Sequence, residues 1–114
     1  MNDKIHKALG IFLDAMRPFV VSFLQQQFPN EPWEGLFFAR LKPARQTTWN
    51  QAMRAQGENQ SCMYFIDYNN LPDFAIGFKR ELGFEFENPD KANKFISYLQ
   101  ELKDIRNKCN HYQA

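Results

Sequence analysis

The sequence predicts an all-α domain, a small bundle of four to five helices. Apolar residues recur at steps of three and four over the first 28 positions. Pro and Gly then cut the chain into short helical blocks, and the final block opens with a full set of helix-start signals. At 114 residues the chain is a single domain, 1–114, large enough for one core. The apolar fraction is an ordinary 44%, but twelve Phe, four Tyr and two Trp give a short chain much area to bury.

From Asn2 to Phe28, the residues Ile5, Leu9, Phe12, Met16, Phe19 or Val20, and Phe23 share one face of an amphipathic helix. Pro18 lacks a backbone donor and crowds the carbonyl of Asp14, which predicts a kink near Arg17. The stretch PNEP at 29–32 ends this helix. EPWEGLFFARL at 31–41 reads as a short helix with Pro32 in its first turn. Pro43 breaks the chain, and 44–56 is helical up to Gly57. GENQS at 57–61 reads as a loop, and CMYFIDY at 62–68 fits either a short extended piece or a turn against the core.

Pro72 suits the first turn of the next helix, with Asn69 or Asn70 as its cap and Gly83 at its end. FEFE at 84–87 alternates like a strand but has no partner strand, so it reads as a connector. The last helix is the best defined. Asn88 caps it, Pro89 takes the first position and Asp90 complements the dipole. Phe95, Leu99, Leu102 and Cys109 mark its inner face, with Ile105 close by.

Fourteen basic against thirteen acidic side chains leave a net charge of +1, so overall charge selects neither nucleic acid nor membrane. Cys62 and Cys109 form no C-x-x-C and have no His at zinc spacing; they read as buried thiols of a reducing compartment. The N-terminus lacks the apolar run and cleavage site of a secretory leader, and the apolar stretches read as too short to cross a bilayer. The expectation is a cytoplasmic protein with no membrane association, no cofactor and no metal site.

The ending, DIRNKCNHYQA, carries the chemistry. Arg106 follows Leu102 by four and Leu99 by seven, so it lies on or beside the buried stripe of the last helix. A guanidinium there is costly unless an acceptor or an anion meets it. Asn107 and His111 are four apart and stacked, so the amide could orient the imidazole. Arg106 and Asn110 stack in the same way on an adjacent track. Arg106 and His111 sit about 140° apart around the axis, so one helix cannot aim both at a single atom. Two copies related by a two-fold axis could, each giving an Arg and a His to a shared cleft.

RNKCNH resembles the R-x4–6-H signature of the HEPN superfamily in its R-N-x-x-x-H form. The order of IHKALGIFLDAMRPFVVSFLQQQF, a region around PW, FIDYNNLPDFAIGFKRELGF and FISYLQELKDIRNKCNH is similar to the Swt-like HEPN branch, from about Lys4 to Tyr112. The resemblance implies a HEPN-like bundle and metal-independent RNA cleavage, in which a 2′-OH attacks the adjacent phosphate and leaves a 2′,3′-cyclic phosphate. By position, His111 would be the general acid/base, Arg106 would hold the phosphate and stabilise its transition-state charge, and Asn107 would orient the His or contact the phosphate. The implied partners are RNA and a second copy of the chain. The family continues past the motif into one more helix. The resemblance therefore implies either a domain lacking that last helix or the N-terminal part of a longer protein, with an effector or ATPase region beyond it. A role in a defence or stress system would follow. Two local departures stand out: Cys109–Asn110 replaces the Trp-Ala common before the His, and Tyr112 follows the His by one residue instead of two.

Lys103, Lys108 and Asn110 flank the motif and could widen a positive cleft; the plainer reading of the lysines is helix surface. Arg40, Lys42, Arg45 and Arg54 with Trp49 could form a basic strip with a stacking aromatic. The plainer and preferred reading is a solvated helix face over a core Trp. His6 reads as an exposed helix residue, and Asp67 as a cap or brace for the helix after it. The Phe-rich stripes read as core. Three functions compete: a homodimeric HEPN endoribonuclease, a non-catalytic HEPN module for dimerisation or for partner or nucleotide binding, and a plain helical interaction domain in which the motif is coincidence.

Overall fold

The computed structural model describes residues 2–56 and 62–111, without the side chains of 2, 110 and 111. The expected loop at 57–61 and Tyr112 lie outside the described residues. Among those described the chain is all-helical: α1 (Asn2–Gln27), α2 (Trp33–Ala39), α3 (Pro43–Gln56), α4 (Leu71–Gly77), α5 (Lys79–Glu85) and α6 (Pro89–His111). Cys62–Phe65 forms a 3-10 turn, which settles the choice left open for CMYFIDY in favour of a turn.

Among the described residues six α-helices stand where four to five were expected, because the block after Pro72 is two helices. Phe78, with φ −115° and ψ 28°, divides α4 from α5. The cause is tertiary. The Arg40 side chain lies across Gly77, where an added Cβ would come within 2.7 Å of Arg40 Cδ. Its guanidinium carbon then sits 4.9 Å from the centre of the Phe78 ring. Glycine leaves room for that passage, and its weak helix preference lets the axis change there.

α1 runs unbroken through Pro18 and ends before Phe28. By length and composition Asp3–Gln27 is apolar enough to cross a membrane, with a mean hydropathy of 1.3 over its best window. That corrects the expectation that the apolar stretches are too short. In the fold, Val20, Phe23 and Leu24 of this helix are buried in the core.

The core is a chain of rings. Phe19 stacks on Phe23 at 6.0 Å, Phe23 meets Phe74 edge-on at 5.8 Å, and Phe74 meets Phe37 at 5.9 Å. Phe37 reaches Trp49 at 5.4 Å, and Trp49 meets Phe65 at 5.7 Å. One aromatic run thus ties α1, α4, α2, α3 and the 3-10 turn together, each pair adding about 0.5–1.5 kcal/mol beyond its buried area. Phe84 departs from the expectation that the Phe stripes are core: it is 67% exposed. With Ile76 it borders an open groove of about 730 Å³ between α4, α5 and the start of α6.

Two helix ends show how sequence sets the packing of α3 and α6. The buried Asp73 of α4 accepts a hydrogen bond from the backbone N–H of Lys42 at 3.1 Å, so α4 caps the entry to α3 from across the fold. Asn88 Oδ1 accepts from the N–H of Asp90 at 2.8 Å, the cap expected for α6. Gly83 does not end α5. The helix runs on to Glu85, and Asn88 N–H donates to Gly83 O at 3.0 Å while Glu87 N–H donates to Phe84 O at 3.1 Å. That is a Schellman closure with Glu87 in the left-handed region at φ 57°. FEFE is therefore the end of α5 plus a turn.

Glu87 occupies a conformation that glycine adopts without the steric cost of a Cβ. Replacing it, Glu87→Gly, should stabilise the fold by about 0.5–1 kcal/mol and raise Tm by about 2–5 °C in thermal unfolding. An unchanged or lower Tm would show that the exposed Glu side chain compensates.

Candidate functional site

The site is built on a turn. Asp67 N–H donates to Asn70 Oδ1 at 2.8 Å, Asp67 Oδ1 accepts from Tyr68 N–H at 2.8 Å, and Asp67 O accepts from Asn70 N–H at 2.9 Å. Three short bonds lock residues 67–70 immediately before α4. Asn70 holds the cap position of that helix but makes no side-chain cap bond, because its amide oxygen is turned back to Asp67.

α1 fastens this turn from one side. Arg17 Nε donates to Ile66 O at 3.0 Å and Nη2 to Tyr64 O at 3.1 Å, while Nη1 meets Asp14 Oδ1 at 3.2 Å. The Tyr68 hydroxyl donates to Leu9 O of the same helix. α6 fastens it from the other side: Arg106 Nη2 lies 3.6 Å from Asp67 Oδ2. Arg106 is therefore on the inner track, as its spacing from Leu99 requires, and Asp67 is the acceptor that position demands. Both side chains stay partly open, 30% exposed for Arg106 and 37% for Asp67.

Asn107 and Lys103 are half-buried on the same helix and Lys108 is exposed. His111 is the last residue of α6; its side chain and that of Asn110 lie outside the described residues. α1 and α6 run antiparallel: Phe19 meets Phe95 edge-on at 6.1 Å, and Phe12 shares a groove with Leu99, Leu102 and Ile105. His6 is half-buried and not exposed as expected, and its Nε2 has no hydrogen-bond partner among the described residues.

The basic strip does not form a stacking platform. Trp49 is 4% exposed and belongs to the aromatic core, while Arg40 is spent on Phe78. Cys109 is buried, Cys62 half-buried, and both are free thiols. Among the described residues no group of His, Cys, Asp and Glu could hold a metal ion. Comparison with protein-family models, curated proteins and solved structures finds no match for this chain.

Asp67 is the residue that sequence reasoning did not place at the site. The signal for Asp67 was the acceptor that Arg106 needs. The ion pair spans 39 positions, so no local periodicity exposes it.

Tyr68 reports on the site directly. Burial pushes its phenol up from 10.0 to about 12, and the neighbouring Asp67 carboxylate adds to the rise; the Leu13 backbone, Arg106 and Arg17 act against it. The neutral phenol thus favours the fold, a contribution complete below pH 10 and lost as pH rises to about 12. In urea unfolding, Tyr68→Phe should lose stability at neutral pH with its bond to Leu9, and the wild-type advantage should shrink from pH 10 to 12. A constant gap across that window would mean that Tyr68 titrates as an exposed phenol.

Proposed function

We propose that this chain is a metal-independent endoribonuclease of the HEPN type, acting as a homodimer in the cytoplasm within a defence or stress system. The observation that supports this reading most directly is the state of Arg106. It sits on the inner face of α6, yet its recorded partner is a carboxylate that is itself more than one-third exposed. An arginine in that position is oriented but can still take up a phosphate in exchange.

The chemistry needs few groups. The 2′-oxygen attacks the adjacent phosphorus, the bond from phosphorus to O5′ breaks, and the products carry a 2′,3′-cyclic phosphate and a free 5′-hydroxyl. One proton leaves the 2′-OH and one reaches O5′. His111 serves as the acid/base for these transfers, and Arg106 stabilises the charge that gathers on the non-bridging oxygens. Asn107 orients the imidazole or contacts the phosphate. Lys103, Lys108 and Asn110 extend the RNA contact along α6. A second copy supplies the other half of the cleft, since Arg106 and His111 leave one helix about 140° apart. The requirement for a 2′-OH makes the substrate RNA and not DNA.

A second reading is a non-catalytic HEPN module that dimerises or binds a partner or nucleotide. It is favoured by the Asp67 carboxylate, which neutralises Arg106 in the chain as it stands.

Cleavage of RNA in EDTA separates the two. The wild-type chain should leave cyclic phosphate ends, and His111→Ala and Arg106→Ala should each lose about a hundredfold or more in rate at matched oligomeric state. A folded dimer that cleaves nothing would favour the binding module. Asp67→Asn gives a further check. Removing the competing charge should tighten RNA binding several-fold, while the rate at saturation falls because Arg106 loses its orientation. Equal losses in binding and rate would mean that Asp67 serves the fold alone.

A further inference from the structure

Beside the Asp67 turn, between it and α3, lies a partly enclosed cleft of about 110 Å³. Trp49 and Phe65 supply aromatic wall, Thr48 and Asn69 supply polar groups, and Arg45 a cation. Asp67 also lines it, so the cleft adjoins the carboxylate that holds Arg106. One polar atom here is unspent: Asn69 Oδ1 is buried and has no hydrogen-bond partner among the described residues. The other groups are engaged in ways that leave them in place. Asn70 Oδ1 receives the Asp67 N–H, and the Thr48 hydroxyl donates to Ala44 O at 3.2 Å, which leaves its oxygen free to accept.

A buried acceptor without a donor costs about 1–3 kcal/mol, and a ligand that brings an N–H recovers it. The space exceeds what a single water needs, and a water would use few of these groups. Aromatic wall, acceptors and a guanidinium together suit a planar ring with polar edges. We propose that this cleft binds a nucleobase bearing an exocyclic amino group, which donates to Asn69 Oδ1. The base belongs to the nucleotide adjoining the phosphate at Arg106, a reading that rests on the proposed ribonuclease function. The cleft then sets base preference at the cleavage site, while Arg106 and His111 set the chemistry. The α3 basic residues enter the function through Arg45 in this cleft and not through an open stacking face.

The test is a titration followed by the indole N–H of Trp49 and the side-chain amide of Asn69 in nuclear magnetic resonance spectra. Adenosine monophosphate should shift both signals, uridine monophosphate should bind more weakly, and ribose 5-phosphate should leave both unmoved. Asn69→Ala should weaken adenosine monophosphate about tenfold. Ala52→Leu, which fills the cleft with a good helix former and removes no polar group, should abolish binding while circular dichroism stays unchanged. A short adenosine oligonucleotide that binds more tightly than the mononucleotide identifies the source as an RNA strand; the reverse order identifies a free nucleotide in the same cleft. Identical shifts from ribose 5-phosphate, or wild-type affinity in both variants, would overturn the proposal. The two readings fail separately. RNA cleavage with unchanged base preference in Asn69→Ala and Ala52→Leu sinks the cleft and leaves the ribonuclease standing. Adenosine monophosphate bound in the cleft of a chain that cleaves no RNA does the opposite.

Discussion

The rest of the structure depends on how Arg17 satisfies backbone that no helix can. Between the 3-10 turn and α4 the chain passes through the interior, where Ile66 and Tyr68 are almost fully buried. Backbone carbonyls in such a segment must find donors or cost free energy comparable to a lost hydrogen bond. Arg17 reaches one of them, Ile66 O, and with the same guanidinium also holds Tyr64 O of the exposed 3-10 turn beside it. Its planar fork suits this task better than an ammonium, because the donors are fixed relative to one another. Once the segment is pinned to α1, the Tyr68 hydroxyl can meet Leu9 O and the Asp67 carboxylate is presented to α6. A polar contact within the first helix thereby places the partner of a residue near the end of the last.

The aromatic chain makes that placement stiff. Phe23, Phe74, Phe37, Trp49 and Phe65 touch in series from α1 to the 3-10 turn. Interiors packed in this way transmit displacement instead of absorbing it. The Asp67 turn is therefore held at its start by Phe65 and Arg17 and at its end by α4, whose first five residues are all buried.

Much of this could be read from residue order alone, and the parts that could not share one cause. The amphipathic face of α1 and the Asn88–Pro89–Asp90 start of α6 are local signals, and both stand in the structure except at Ile5, which is exposed near the helix start. The division of α4 from α5 is not local: Gly77 marks it only because Arg40 arrives from α2's end. Glu87 in the left-handed region was masked by Gly83, the more obvious terminator, although the closure uses Gly83 only as a carbonyl. Within the site, the track that carries Arg106 was legible from its spacing to Leu99, and so was its need for an acceptor. The identity of that acceptor was not, because Asp67 reaches it only after α1 and α4 have fixed the turn between them.

The magnitude of the Arg106–Asp67 pair argues about its purpose. Two unit charges about 4 Å apart attract by roughly 1–4 kcal/mol at dielectrics between bulk water and a protein surface. With both side chains about a third exposed, solvent screening and side-chain entropy reduce the net to about 0–1 kcal/mol. A pair of that strength adds little to the fold. A fully buried pair would hold Arg106 too firmly to exchange, since breaking one costs about 3–5 kcal/mol. An unpaired guanidinium on the inner track would carry a desolvation cost and keep no fixed direction. The intermediate case is the one found: a cation held in place by a partly exposed acceptor, in a pair weak enough to be exchanged. Asp67 thus orients Arg106 while leaving it free to change partner at little cost to the fold.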